Sequence, residues 1–320
     1  ERMPSPNFIK WERRSGSRFN GYREIILPGE YSDDTQLMLA TARSLLKGEV
    51  WNRYFVQQEL SLWLLYMRGA GRSVISAANS WRENIAPWKN SKIVERYFST
   101  GANGVAMRIL PHTLLPDLST EEMHKQIMLN GIITHGHPRA LMGAKIYAQA
   151  AKYLFSLAET FEYGSLIEYL LDHHLEWSAF TSWEKNYESW LTAANEYSKG
   201  QYSQIWETTK KEMMIGLNTC NNELQKGSLS ITQDFLKAIG ALDKKTNGSG
   251  VVAALSSIFM VSRYATNPTS GMLELAFAYN ADTDTLTAMA GALFGALLGT
   301  SWIPKDWLSA QDKDYLSKLA

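Results

Sequence analysis

The 320-residue sequence predicts an all-α fold, a single compact domain of about a dozen helices that cross one another at steep angles. Three observations support this prediction. Apolar residues mostly recur at the three- and four-residue spacing of helices, and few runs alternate in the manner of strands. No proline occurs between positions 139 and 267. No Gly/Ser-rich or charged linker interrupts the chain, so residues 1–320 are expected to form one domain.

The composition is balanced and excludes several classes of protein. The chain has 32 Lys and Arg against 32 Asp and Glu, with 45% hydrophobic residues. Zero formal charge argues against a globally basic binder of nucleic acid or anionic membranes, because both require an excess of clustered cations. The single cysteine, Cys220, cannot form an internal disulfide or a thiolate metal cage, which favours a cytoplasmic location. We expect a monomer with no membrane association.

The N-terminal 31 residues are predicted to be irregular. Pro4, Pro6, Pro28 and several glycines interrupt any long element there. The sequence begins at Glu1 without an initiator Met and shows no signal peptide, so we expect that some preceding residues are missing.

The first predicted helix runs from Asp34 to Lys47, a stretch of good helix formers that Gly48 is placed to end. Two further helices are predicted from Glu59 to Arg68 and from Ser73 to Glu83.

In the middle of the chain, Ser119 and Glu122 form a capping box ahead of a helix from Met123 to Ile133. Pro138 suits the first turn of a long helix that ends near position 158.

Four or five helices are predicted between residues 164 and 243, and four more complete the chain. Those four are Ser249–Tyr264, Gly271–Tyr279, Asp284–Leu298 and Lys305–Leu319. The uncharged stretch 286–303 reaches the lower length limit of a membrane span. Its rows of Ala and Gly fit tight helix packing, and we expect a buried helix inside the protein.

Aromatic residues are dense between Tyr147 and Trp206 and include Trp177, Trp183 and Trp190. Core packing is the ordinary interpretation of such a region. An aromatic surface for a macromolecular partner, or a cover for a flat heterocycle, is the alternative.

Two clusters of oxygen ligands each open a predicted helix. They are Ser32-Asp33-Asp34-Thr35 and Asp282-Thr283-Asp284-Thr285. Helix capping explains one such cluster, but two together, one leading into a very apolar helix, indicate buried charge that needs a cation. Oxygen-only ligands favour Mg²⁺ or Mn²⁺ over zinc, and four carboxylates with two hydroxyls could hold two ions.

Two other segments are polar or flexible. Glycines on either side of Asn103 expose backbone N–H groups where a helix is predicted to begin, an arrangement suited to phosphate or ribose oxygens. His135 and His137 lie in a turn before Pro138, and a ligand contact by His135 is plausible.

Two other carboxylate motifs fit the same residues less well. A phosphatase signature requires Asp-x-Asp-x-Thr after an early strand of an α/β fold, which this chain does not offer. An all-α prenyl-diphosphate enzyme fits the fold class, but its first motif requires a carboxylate where this chain has Leu37.

Taken in order, the segments resemble signatures of the ADP-ribosylglycohydrolase family. The matching residues are Ser32-Asp33-Asp34-Thr35, Asn103-Gly104-x-x-Met107-Arg108, Thr134-His135, Gly248-Ser249-Gly250, and Asp282-Thr283-Asp284-Thr285 before a small-residue helix. The resemblance implies an all-α hydrolase that removes ADP-ribose from a modified protein side chain, with arginine as the first expectation. It also implies two Mg²⁺ or Mn²⁺ ions in a central cleft. A noncatalytic ADP-ribose-binding or structural member of the family is the other hypothesis.

The resemblance assigns roles residue by residue. The implied metal ligands are Ser32, Asp33, Asp34, Asp282, Asp284 and Thr285, with Asp33 and Asp34 also acting on the attacking water. The implied substrate contacts are Asn103, Gly104, His135, Gly248, Ser249 and Gly250. The chain departs from the family in two places. A Gly-Asp-Ala-x-Gly segment is not found near the start, where Glu1 would be its trailing acid, and Asn280-Ala281 replace the usual glycines.

Overall fold

Helices dominate the structure, a computed structural model that describes residues 6–16, 20–157, 160–180 and 187–319. The predicted all-α class is confirmed, since the described residues contain one two-stranded sheet beside a succession of helices. Glu1, Trp183 and the expected end of the long helix at residue 158 lie outside the described residues.

The N-terminal segment contains an antiparallel hairpin, so the expectation of an irregular segment was wrong here. Strand β1 (Trp11–Gly16) pairs with β2 (Gly21–Ile26), from Trp11 opposite Ile26 to Gly16 opposite Gly21. Most side chains of both strands are exposed, so the sequence carries no apolar alternation that would have indicated them. An ion pair between Arg13 and Glu24, 2.8 Å long, links the two strands.

The first helix, α1 (Asp33–Leu45), agrees closely with the prediction, and Gly48 follows it with a left-handed φ of +62°. Next, α2 (Trp51–Tyr54) continues through a π-helical turn (Phe55–Leu60) into α3 (Ser61–Trp63). The helix predicted from Glu59 to Arg68 was therefore placed too late along the chain. Large side chains of this segment, such as that of Trp63, are buried, and their positions determine which side of the segment faces the core.

Helix α4 (Arg72–Arg82) lies where it was predicted, and α5 (Val94–Ser99) follows. After the Asn103 loop, the expected helix is only a 3₁₀ turn (Ala106–Arg108). Pro111 explains why the turn is short. The residue before a proline disfavours the α conformation, and proline itself has no backbone N–H to donate to a helical hydrogen bond.

Ser119 caps the predicted helix, since the Glu122 N–H donates to Ser119 Oγ at 3.1 Å, which is one of the two hydrogen bonds of a capping box. It opens α6 (Thr120–Ile132), and Pro138 opens the long α7 (Pro138–Ser156). The described residues between 164 and 243 contain five α-helices, in agreement with the four or five predicted. They are α8 (Ser165–Asp172), α9 (His174–Ser178), α10 (Glu188–Tyr197), α11 (Tyr202–Gln225) and α12 (Thr232–Ala238).

The last part of the chain forms α13 (Gly250–Tyr264), α14 (Pro268–Ala276), α15 (Thr283–Leu298) and α16 (Lys313–Leu319). The single helix predicted from residue 305 to 319 is interrupted. A 3₁₀ turn (Lys305–Leu308) ends before Asp312, whose φ of +56° is incompatible with a continuous right-handed helix.

Helices α7, α13 and α15 pack against one another within the main hydrophobic core. A glycine pair permits the contact of α7 with α13, since a Cβ atom on Gly143 would lie 2.4 Å from the Gly250 carbonyl oxygen. Leu286, Met289 and Phe294 of α15 are buried, as expected for a helix inside the protein. Among the described helices, none is both long and apolar enough to cross a membrane.

The aromatic region between residues 147 and 206 contributes to the core. Trp177, Trp190 and Trp206 are fully or almost fully buried. The Trp177 indole donates to the Leu170 carbonyl at 2.8 Å, and that of Trp206 to the Ser178 carbonyl at 2.7 Å. For these tryptophans the structure supports core packing over an exposed partner surface.

Candidate functional site

Three carboxylates from the two acidic clusters meet at the starts of α1 and α15. Oxygen atoms of Asp33, Asp34 and Asp284 all lie within 4.8 Å of one another. Asp33 and Asp34 are buried, whereas Asp284 is exposed. The Asp33 N–H donates to the Arg68 carbonyl at 2.8 Å, which fixes the start of α1 against the segment after α3.

Burial and mutual repulsion make this cluster electrostatically unfavourable without a cation. Burial, followed by the charges of Asp34 and Asp284, raises the pKa of Asp33 to about 8. Burial, followed by the charge of Asp284, also raises the pKa of Asp34, while hydrogen bonds from the Thr285 and Ser32 hydroxyls oppose that rise. The pKa of Asp282 is also raised, first by burial and then by the charge of Asp284.

One carboxylate oxygen of the cluster has no hydrogen-bond partner in the described part of the chain. The Ser32 hydroxyl donates to Asp34 Oδ2 at 2.9 Å, while Asp34 Oδ1 is buried and accepts no hydrogen bond from any described residue. A buried carboxylate oxygen without a donor costs free energy unless a cation or ligand occupies the adjacent space. Hard oxygen donors crowded in this way fit Mg²⁺ or Mn²⁺.

Asp282 lies in the same cleft but contacts a different group. Its Oδ2 accepts from the Asn103 side-chain amide at 2.8 Å, which joins the second acidic cluster to the Asn103 loop. Asn280, which precedes this cluster, has a φ of +68°, a conformation that glycine adopts more readily. The Asn247 amide donates to the Asn280 carbonyl at 2.7 Å and holds that turn in place.

The Asn103 loop is held by the 248–250 segment in a short antiparallel bridge. The Asn103 N–H donates to the Gly248 carbonyl and the Gly250 N–H to the Gly101 carbonyl, both at 2.9 Å. Gly248 lies beside Asp282, since a Cβ atom there would be 3.9 Å from Asp282 Oδ2. Gly250 contributes to packing, because a Cβ atom there would lie 2.6 Å from the Arg139 carbonyl oxygen.

Arg108 supports the same loop from below. This fully buried side chain donates from Nη1 to the Gly104 carbonyl at 2.6 Å and from Nη2 to the Asn130 carbonyl at 2.8 Å. Burial lowers the pKa of Arg108 to about 9. The guanidinium is therefore a positioning group for Gly104 and does not reach the cleft surface.

His135 places an unpartnered nitrogen in the cleft. Its Nδ1 is 2.8 Å from the Thr134 hydroxyl, while its Nε2 is buried and forms no hydrogen bond to the residues that the structure describes. Burial, followed by the charge of Arg108, lowers the pKa of His135 to about 3, so the ring is neutral at physiological pH. Ser249 Oγ is also buried and has no partner among the described residues, but Ser249 and its neighbours Gly248 and Gly250 do not line the cleft.

These side chains line a cleft of about 480 Å³, within the range of roughly 300–1,000 Å³ that is usual for ligand sites. Asp33, Asp34, Asp282, Asp284, Thr285, Asn103, Gly104 and His135 all contribute to its lining. Ser32 instead lines a neighbouring cavity of about 560 Å³, which Asp284 also borders. The structure thus brings most of the residues implied by the sequence into one cleft.

The start of α4 forms part of the lining that the sequence did not indicate. Gly69, Gly71, Arg72, Ser73 and Val74 contribute from this segment, and Arg96 from α5. Gly69 has a φ of +94°, and a Cβ atom there would lie 3.2 Å from Asp33 Oδ1. The closely spaced glycines at 69 and 71 were the only local signal.

Comparisons with known proteins agree on the family. A family model described as ADP-ribosylglycohydrolase matches residues 3–320. A glycohydrolase of Rhodospirillum rubrum, named for ADP-ribosyl-[dinitrogen reductase], is 28% identical over 113 residues, which cover 35% of this chain and 36% of that protein. The matched segment thus spans little more than a third of the relative.

A solved structure described as an ADP-ribosylglycohydrolase-related protein complex resembles this chain over most of its length. The alignment has a TM-score of 0.56 and covers 92% of this chain and 81% of the other, with 18% sequence identity. At that identity the likeness concerns the fold.

Proposed function

The chain belongs to the ADP-ribosylglycohydrolase family, and we propose that it is a metal-dependent hydrolase that releases ADP-ribose from a modified protein side chain. The observation that carries this proposal is the partnerless, buried Oδ1 atom of Asp34 within a group of three converging carboxylates. Burying such a group without a cation destabilises the fold, so a protein whose core is purely structural has no need of it.

We propose that Asp33, Asp34, Asp282, Asp284, Ser32 and Thr285 hold two Mg²⁺ or Mn²⁺ ions. Bound ions would supply Lewis acidity and lower the pKa of a coordinated water. The chain itself orients the ligands: the Ser32 hydroxyl fixes Asp34, and the Asn103 amide fixes Asp282. Asp33 or Asp34 accepts a proton from the attacking water.

The bond that breaks joins the anomeric carbon of the ribose to an atom of the target side chain, through a transition state of oxocarbenium character. His135 Nε2 has no partner among the described residues and lines the cleft, so it can bind a polar atom of the ligand. Ser249 Oγ, beside the Asn103 loop, is a second candidate contact. Because the His135 ring is neutral, it orients the ligand by hydrogen bonding rather than by charge.

Arginine is our first choice for the modified side chain. A guanidine is basic enough to take up its own proton as it departs, so the site needs no dedicated general acid. The name of the Rhodospirillum rubrum relative refers to ADP-ribosylated dinitrogen reductase, which supports a protein-linked substrate.

The test is the release of ADP-ribose from Arg-, Ser-, Asp/Glu- and nucleic-acid-linked substrates with Mg²⁺ or Mn²⁺. We expect the arginine conjugate to be cleaved fastest, and Asp284→Ala to abolish release while leaving the helical circular dichroism spectrum intact. Asp306→Ala, at an exposed aspartate remote in sequence from both clusters, is the matched control and should retain activity. Full activity of Asp284→Ala, or in excess EDTA, contradicts the metal-dependent mechanism. Tight ADP-ribose binding without turnover indicates a noncatalytic member.

A further inference from the structure

Gln36 lies one helical turn after Asp33 and directs its side-chain amide at the segment that follows α3. It is only 7% exposed, although glutamine side chains are mostly exposed in proteins. Its Nε2 donates to the Tyr66 carbonyl at 3.1 Å, and its Oε1 accepts from the Arg68 N–H at 3.1 Å. Gln36 thus joins α1 to residues 66–68 by two hydrogen bonds.

A third hydrogen bond determines which way the Gln36 amide faces. The Trp63 indole donates to Gln36 Oε1 at 3.1 Å, so this oxygen accepts from two N–H groups that can only donate. The NH₂ group of the amide must therefore face the Tyr66 carbonyl. Trp63 is fully buried within a cluster of apolar side chains, which keeps water away from its hydrogen bond. The side chain of Gln36 is therefore held in one orientation.

The segment that Gln36 holds is also the one that supports Asp33. The Asp33 N–H donates to the Arg68 carbonyl at 2.8 Å, while the Arg68 N–H donates to Gln36. Both backbone polar groups of residue 68 are thus bonded to α1. Gly69 comes next, and a Cβ atom there would lie 3.2 Å from Asp33 Oδ1. A displacement of residues 66–68 would therefore move the backbone that lies against the Asp33 carboxylate.

The Arg68 side chain holds the chain just before the acidic turn. Its Nη1 donates to the Tyr31 carbonyl at 2.9 Å and to Gln311 Oε1 at 3.1 Å, and its Nη2 donates to Glu30 Oε1 at 3.2 Å. Tyr31 directly precedes Ser32, the first of the proposed metal ligands. Residue 68 is therefore bonded before Ser32 through its side chain and after it through its backbone.

We propose that Gln36 and Arg68 are positioning residues that hold the Ser32–Asp34 turn in the geometry that binds divalent cations. This inference rests on the proposed function. Neither residue belongs to the described lining of the cleft, so both act through the backbone they hold. Like charges repel in the metal-free cluster, and an unsupported turn would relax and separate the carboxylates. The hydrogen bonds keep the ligands together before the ion arrives, which reduces the entropy lost on binding.

The experiment is a titration of Mn²⁺ into the metal-free protein without substrate, with the free ion measured by electron paramagnetic resonance. Gln36→Met keeps the length of the side chain but removes its three hydrogen bonds. Arg68→Met removes the guanidinium contacts and leaves the backbone bonds of residue 68 possible. Each change should weaken Mn²⁺ binding by about 10–100-fold, the usual loss when a group that orients metal ligands is removed. Gln36→Glu keeps an acceptor for both N–H donors and should lose less affinity.

A purely structural role would lower stability without changing metal affinity, and Thr232→Val is the matched control for that outcome. This change keeps the shape of the side chain but removes the 2.8 Å hydrogen bond between the Thr232 and Tyr264 hydroxyls, outside the cleft. It should lower the thermal midpoint in EDTA and leave the Mn²⁺ dissociation constant unchanged. In Gln36→Met, an affinity about tenfold weaker should also reduce the stabilisation by Mn²⁺ by about 1.4 kcal/mol.

Failure of this inference is distinguishable from failure of the proposed function. Unchanged Mn²⁺ affinity in either methionine variant overturns the inference for that residue, even if its thermal midpoint in EDTA falls. Hydrolysis by the wild-type protein would then leave the proposed function intact. If instead the variants bind Mn²⁺ more weakly than the wild-type protein but no conjugate is hydrolysed, the proposed function is wrong and the inference stands. A wild-type protein that binds no Mn²⁺ overturns both.

Discussion

Removal of one charge from the carboxylate cluster should have opposite effects on stability with and without metal. We consider Asp33→Asn, which keeps the shape of a buried side chain. Two unit charges 4.8 Å apart, the outer limit of the cluster, repel by about 3.5 kcal/mol at an effective dielectric constant of about 20. Partial protonation already relieves some of this repulsion, and the buried amide has its own desolvation cost. We expect the metal-free variant to gain about 2 kcal/mol.

The assay is thermal unfolding in EDTA and then in Mn²⁺, at about pH 8.5, where Asp33 is largely ionised. For a chain of 320 residues, about 1 kcal/mol corresponds to about 1.5 °C, so the metal-free variant should melt about 3 °C higher than the wild-type protein. Mn²⁺ at about 100 times its dissociation constant should stabilise the wild-type protein by about 2.7 kcal/mol, or about 4 °C. The variant should gain far less, so the order of the two midpoints reverses.

This reversal separates a metal site from an ordinary structural cluster. Asp306→Asn, at an exposed aspartate, is the control and should change neither midpoint appreciably. If Asp33→Asn lowers the midpoint in EDTA, the cluster is not under repulsion in the metal-free protein. If Mn²⁺ stabilises both proteins equally, Asp33 is not a ligand.

Three further predictions concern the same cleft. In EDTA, the stability of the wild-type protein should fall as pH rises from about 4 to about 8, because burial and neighbouring charges raise the folded-state pKa of Asp33 from 3.8 to about 8. Thermal melts of Asp33→Asn over the same pH range should show a flatter profile. Gly104→Ala should lower stability by about 1–3 kcal/mol and raise KM, since the new Cβ would lie 3.0 Å from the His135 ring. Gly71→Ala, whose Cβ meets no atom within 4 Å, is the comparison; equal losses of stability in both would contradict the steric argument. Ser249→Ala should leave stability unchanged or raise it by up to about 1 kcal/mol, because a buried hydroxyl without a partner is removed. Calorimetry should show weaker ADP-ribose binding by that variant, and unchanged affinity would exclude Ser249 as a ligand contact.

The sequence predicted the parts of the fold where local signals and packing agree. Ser119 with Glu122 and the proline at 138 marked helix starts that the structure contains. The hairpin at residues 11–26 escaped prediction because its strands bury little, so no alternation of apolar residues was present. The helix predicted from Glu59 to Arg68 was placed too late along the chain, since burial of the large side chains of this segment depends on the rest of the fold.

The site was predictable to a similar extent. Both acidic turns could be predicted from neighbouring residues alone, because crowded carboxylates are unusual at the start of an apolar helix. The contribution of α4 could not be predicted, since Arg72 resembles any exposed arginine in sequence, and only the tertiary structure brings it to the cleft that His135 also lines. Asn280 shows a further limit: its left-handed conformation, at a position where the family usually has glycine, is visible only in the structure.

The meeting of Asp33 and Asp34 with Asp284 has a consequence for how the protein matures. The two acidic turns are separated by on the order of 250 residues, and closure of a loop of that length is among the least probable early events in folding. A partly folded chain therefore presents no complete carboxylate cluster and gains no free energy from divalent ions. Uptake of metal would report that α15 has docked against α1, so cation binding could serve as a kinetic marker for the final stage of folding.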